Sequence, residues 1–106
     1  MNGVRIPTLR TLAKYGLTMK DYERIMRRQK WACAVCGNVP ASGILHIDHE
    51  HRRGFSKLSP DERKKCVRGV ICWYDNSVLL RRGATPERLR SAAKYLERYE
   101  RGKNAS

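Results

Sequence analysis

The sequence predicts a small α+β fold, mostly helical, with two short strands near its centre. Three observations predict it. The chain has 106 residues, enough for one domain spanning 1–106 and too few for a second. Apolar residues recur with helical spacing over about 18–31 and again over about 85–101, framing a central core of 31–83. Two β-branched runs in that core, 44–48 and 67–71, read as strands. A core this small gains from a structural metal, and the chain has four cysteines to hold one.

The elements follow in order. Residues 1–17 form a short, weakly patterned basic segment. Thr18 is placed to cap a helix, with Asp21 three residues on as the acidic half of a capping box. Met19, Tyr22, Ile25 and Met26 share one face of that helix, and Arg24, Arg27, Arg28 and Lys30 take the others. It is expected to run to about Trp31. Cys33-Ala34-Val35-Cys36-Gly37 then reads as a knuckle turn, followed by a loop through Pro40. Ile44 to Asp48 is the first strand. Ser59 and Pro60 open a short helix, as cap and first position. Val67 to Ile71 is the second strand. A helix is expected from Cys72 to about Arg82, stopped by Gly83. Thr85, Pro86 and Glu87 start a last helix with Leu89, Ala92, Ala93, Leu96 and Tyr99 on one face, ended by Gly102.

Lys and Arg number 23 against 10 acidic residues, a net charge of +13 spread along the chain. Such an excess favours a polyanionic partner, and nucleic acid is the commonest. The competing reading is a solvated basic surface of the ribosomal-protein kind. No apolar stretch can cross a bilayer, and Met1 to Arg5 lead into no signal core. A soluble cytoplasmic protein is expected, so the cysteines read as metal ligands or free thiols rather than disulfides.

Cys33-x-x-Cys36 alone is ambiguous. A thioredoxin-type redox pair needs a larger βαβ setting. Cys72-Trp73-Tyr74-Asp75 nearly supplies a second knuckle, with a carboxylate at the fourth position. Zinc accepts such an oxygen, so Cys33, Cys36, Cys72 and Asp75 are the expected zinc ligands. Cys66 competes for the fourth place. If the chain between is extended, it lies roughly 20 Å from Cys72.

All three histidines fall in His46-Ile47-Asp48-His49-Glu50-His51. On a strand, His46, Asp48 and Glu50 share one face and His49 and His51 the other. Phosphodiester hydrolysis needs a base for water, a divalent cation at the phosphate, and basic side chains on the backbone. Imidazole suits the first task, and a carboxylate with an amide oxygen suits magnesium. Asp48 and His49 supply one group for each, and Asn76 an amide. A second zinc site or a pH-sensitive surface patch remain open alternatives.

Cys33-x-x-Cys36-Gly37, then Ile47-Asp48-His49-Glu50-His51, then Val67-Arg68-Gly69-Val70-Ile71-Cys72-x-x-Asp75-Asn76 together resemble the phage recombination endonuclease VII family of HNH nucleases. Tyr15-Gly16-Leu17-Thr18 also resembles the family's entry into the first knuckle. The likeness covers about 15–100, with its specific part in 33–76. It implies a zinc-stapled ββα-metal (HNH, His-Me finger) motif flanked by N- and C-terminal helices. It implies that Asp48 and Asn76 hold a catalytic magnesium or manganese ion, that His49 is the general base, and that His51 assists at the scissile phosphate. The zinc would be structural. The family's best-known members resolve branched DNA, including four-way junctions, as dimers. The resemblance therefore implies a junction-resolvase-like homodimer, joined through the first and last helices and working in the host-cell cytoplasm.

Two departures stand out. Asp75 replaces the family's fourth cysteine. The stretch from His51 to Arg68 is longer than in the shortest members and carries Arg52, Arg53, Lys57, Arg63, Lys64 and Lys65. With Arg68 these are expected DNA contacts, or else a solvated basic loop. Two other functions stay open: a nonspecific or site-specific nicking HNH enzyme, and a zinc-knuckle DNA-binding module without catalysis.

Overall fold

The computed structural model describes residues 3–81 and 84–105. Its elements are α1 (Leu9–Lys14), α2 (Met19–Arg28), β1 (His46–His49), a 3-10 turn (Phe55–Lys57), α3 (Pro60–Cys66), β2 (Val67–Ile71), a π turn (Asp75–Leu79) and α4 (Pro86–Ala105). The architecture is small α+β around one two-stranded antiparallel sheet. Asp48 pairs with Gly69 but His49 with Val67, so β2 bulges at Arg68.

The unpatterned first segment contains a helix after all. Thr8 caps α1 by accepting the Thr11 N–H, and Leu12 is fully buried. Six residues carry too little periodicity to announce a helix, so packing decides it. In α2 both halves of the capping box form: Thr18 accepts from the Asp21 N–H and Asp21 from the Thr18 N–H. Tyr22 and Met26 are buried, with Met19 and Ile25 packed against the same core. The helix stops at Arg28, short of Trp31, because Lys30 and Trp31 adopt positive φ. That reversal sets Trp31 edge-on to Tyr22 and turns the chain into the knuckle.

Gln29, at the end of α2, behaves like a third strand. Its side-chain amide donates to the Val70 carbonyl at 2.8 Å and accepts the Val70 N–H at 2.9 Å. The outer edge of β2 is thereby satisfied without another strand. The core between α1, α2 and the sheet holds Leu12, Leu17, Tyr22, Met26, Leu45, Ile47, Val70 and Ile71.

Gly16 lets α1 and α3 approach. Its φ is +71°, and an added Cβ would collide with the Pro60 carbonyl oxygen. Gly16→Ala therefore meets both left-handed strain and a backbone clash. We expect it to destabilise by about 2–4 kcal/mol, lowering Tm by roughly 10 °C or more in a thermal melt.

Asp21 joins α2 to α3 through Lys64, 2.9 Å away. The Thr18 N–H first, then Lys64, hold its carboxyl down at about 2 against the opposing cost of burial. A depressed carboxylate stabilises above its unfolded pKa and loses that stability as pH falls through the folded one. Asp21→Asn is thus expected to cost about 1 kcal/mol at pH 7. The gap to wild type should close between pH 4 and 2, read by urea unfolding across that range.

Two expectations at the C-terminal side change. The helix expected from Cys72 to about Arg82 is present but shorter and irregular: Trp73 and Tyr74 are α-helical and Asp75–Leu79 wind on in π form, with the Leu80 N–H on the Asp75 carbonyl. Gly83 lies outside the described residues. α4 continues through Gly102 to Ala105, since one glycine inside an otherwise favourable helix costs only about 1 kcal/mol. Tyr95, Leu96 and Tyr99 on α4 are exposed. The radius of gyration is 16.5 Å against about 13 Å for a compact chain of this length, which fits a helix without a covering layer.

Candidate functional site

The knuckle is built first by backbone. Gly37 at positive φ closes the turn, its N–H reaching the Cys33 carbonyl. The Ala34 N–H reaches Val70, which fixes the knuckle to β2. Cys72 leaves β2 directly, and the π turn starts at Asp75. The result brings one ligand atom each from Cys33, Cys36, Cys72 and Asp75 within 4.8 Å of one another. Asp75 Oδ2 is 3.2 Å from Cys33 Sγ and 3.1 Å from Cys72 Sγ. Cys33 Sγ also accepts the Val35 and Cys72 N–H groups.

These residues fit a metal. Three sulfurs and a carboxylate are the donor types of a tetrahedral site, and backbone N–H groups already point at one sulfur as they would at a thiolate. The Asp75 backbone N–H favours the Cys72 thiolate. Burial and the protons shared with Asp75 and Cys33 outweigh it and raise the thiol to about 11. A dication replaces such shared protons. Asp75 is itself held below the ordinary carboxylate range by the Cys72 thiol, then by Cys33 and Cys36, against burial. Cys66 is buried at the end of α3, with Arg52 Nη1 3.9 Å from its sulfur, and is not in the cluster. The strand between Cys66 and Cys72 keeps them apart.

The second site lies at the end of β1. Asp48 is 6% exposed, and Arg68 grips it with two bonds, Nε to Oδ2 at 2.8 Å and Nη2 to Oδ1 at 2.9 Å. The bulge explains the contact. Opposed residues of an antiparallel pair point to the same face. Without the bulge Arg68 would oppose His49 and lie on its face; the extra residue re-aims it to Asp48.

His49 is half-buried in a ring cluster. Its centroid lies 4.5 Å from Phe55, 4.8 Å from His51 and 5.3 Å from Tyr15. Burial first, and then the nearby His51 charge, lower its pKa against the pull of Asp48. Its imidazole is thereby biased toward the neutral form. Asn76 and His46 line a small cleft of about 150 Å³ together with Tyr15, Ile47 and Thr11. Tyr15 forms a wall of both this cleft and the cavity beside His49.

Of the basic residues, Arg52, Arg53, Lys57 and Lys65 are exposed, whereas Lys64 is tied to Asp21 and Arg68 to Asp48. The sequence reading missed Tyr15, Phe55 and the Asp48–Arg68 pair. Only the Tyr15-Gly16 turn hinted at the first.

No helix among the described residues is long and apolar enough to cross a membrane. Comparison with curated proteins and with solved structures returned no match. A family model described as recombination endonuclease VII matches residues 8–98. That span takes in α1, the cysteine cluster, the Asp48-His49 strand end and most of α4, and it covers far more than half of the chain. The chain belongs to the recombination endonuclease VII family.

Proposed function

We propose that this protein is a metal-dependent DNA endonuclease acting on branched DNA. One observation carries the reading beyond family membership: an imidazole biased toward its neutral form, His49, stands next to a buried carboxylate, Asp48, at an open strand end. A DNA-binding module needs neither. Water at the scissile phosphate gives its proton to His49. His51, whose ring lies beside His49, assists at the phosphate. Arg52, Arg53, Lys57, Lys64, Lys65 and Arg68 hold the backbone.

Asp48 and Asn76 are the residues that would hold a divalent cation, magnesium or manganese. A carboxylate and an amide oxygen are hard donors and fit it, provided Arg68 yields one Asp48 oxygen. The ion, when bound, supplies charge stabilisation at the phosphate and the leaving oxygen. Zinc at Cys33, Cys36, Cys72 and Asp75 is structural and joins knuckle, β2 and π turn. In this reading β1, β2 and the turn carrying Asn76 make the ββα-metal unit of an HNH enzyme. The whole chain acts as one domain, and two copies pair through the apolar stripe of α4.

One observation favours a second reading. Arg68 occupies both oxygens of Asp48, as in a binding module with no catalytic metal. Cleavage of matched linear, nicked and four-way-junction DNA in magnesium separates the possibilities. Magnesium-dependent cuts concentrated at the junction are the expected result. Equal cutting of all three means a nonspecific nuclease, single-strand cuts alone a nickase, and binding without cuts a module.

A further inference from the structure

A cavity of about 510 Å³ opens directly on the His49 ring, lined by Lys14, Tyr15, His49, Phe55, Ser56 and Arg63. The hydrolytic step uses only its rim at His49. We propose that it is a stacking pocket for one nucleobase turned out of the strand next to the scissile phosphate. Such a pocket presupposes the endonuclease reading above and adds a specificity element to it.

The walls decide the chemistry. Tyr15 and Phe55 are half-buried and stand 6.2 Å apart at a 52° tilt, with His49 packed against both as the third corner of the cluster. Aromatic rings in a cavity wall suit a flat heterocycle, because every base has a π-face. The two charged residues among the lining are cations, Lys14 and Arg63, and no carboxylate among the described residues lines the space. An anionic strand is thereby favoured over a cationic or acidic-pocket ligand. The Arg63 Nε is buried with no hydrogen-bond partner, although its Nη1 donates to the Leu58 carbonyl and its Nη2 to the Ala13 carbonyl. That nitrogen is closed off from solvent, so what Arg63 offers a bound strand is its charge.

The pocket is also built in advance. Arg63 straps the end of α1 to the turn after Phe55, and Gly16 holds α1 against α3. Tyr15 and Phe55 are therefore fixed before DNA arrives, which limits the ordering cost of binding. A base seated there places its own phosphate beside His49. Geometry at the phosphate is then set by the pocket rather than by the duplex.

A double-mutant cycle between protein and DNA tests this with the full chain in calcium, where binding is read without magnesium. Cleavage in magnesium first maps the cut. Each nucleotide flanking it is then replaced by an abasic site. Wild type should lose about tenfold in affinity at one position. Phe55→Leu should show that same loss with the intact base and no further loss with the abasic site. Phe55→Tyr, which keeps the ring, should bind as wild type. Ser56→Trp, at an exposed position on the cavity wall, should fill the space and abolish the abasic effect even if Phe55→Leu fails to fold. Additive losses, or indifference to every abasic position, overturn the pocket. If wild type cuts nothing, the nuclease reading fails instead, and abasic substitution scanned along the whole bound strand still reports on the pocket.

Discussion

Replacing His49 by alanine is expected to lower the cleavage rate by about a thousandfold, the usual scale for a lost general base. DNA affinity should stay within a few-fold of wild type, because His49 is biased toward its uncharged form. The environment already tunes it for the task. Burial and the His51 charge lower its pKa from the ordinary histidine value, which favours the unprotonated base. The pH–rate profile should accordingly fall on its acid side at a midpoint below that of a free imidazole. His51→Ala removes a repelling charge, which raises the His49 pKa and moves the acid limb to higher pH. Single-turnover cleavage across pH 5–8 reads both effects. Substantial magnesium-dependent cleavage by His49→Ala would remove His49 from the base role and leave water activation to another group.

How far the sequence led differs between the two sites. The four-residue cluster was legible because each half is local: a Cys-x-x-Cys turn and a Cys-x-x-Asp turn each set their own ligand spacing. The strand that separates Cys66 from Cys72 was legible too, from its β-branched run. The caps at Thr18 and Ser59 were legible for the same reason, as three-residue relations in the chain. What escaped was tertiary. Arg68 reaches Asp48 only because β2 bulges, and no pattern of alternation announces a bulge. Tyr15 and Phe55 meet His49 across 34 and 6 positions of sequence, from a helix end and a 3-10 turn. Leu12 is buried inside a segment too short and too basic to show a period. At α4 the reading succeeded on existence and failed on its end, because a single Gly102 is weaker than the helix around it.

The cysteine cluster sets the second large effect. The protein has a small core, and the knuckle, β2 and the π turn converge at Cys33, Cys36, Cys72 and Asp75. Chelation should therefore unfold this region rather than merely loosen it, since binding free energy at a structural site is folding free energy. We expect about one zinc per chain by metal analysis. Stripping it should abolish the cooperative thermal transition of the sheet and with it cleavage, because β1 and β2 carry both Asp48 and Arg68. Asp75→Ala should bind zinc markedly more weakly, and Asp75→Cys should tighten it by giving the softer fourth ligand. Cys66→Ala should keep its zinc and lose only the packing of a buried thiol. The opposite pattern, zinc lost in Cys66→Ala and kept in Asp75→Ala, would mean that the metal draws α3 inward and holds a different fourth ligand. The two variants also separate metal from chemistry. An Asp75→Ala protein refolded at high zinc should cut at the wild-type rate, as Asp75 lies outside the hydrolytic set, whereas no concentration of zinc should restore His49→Ala.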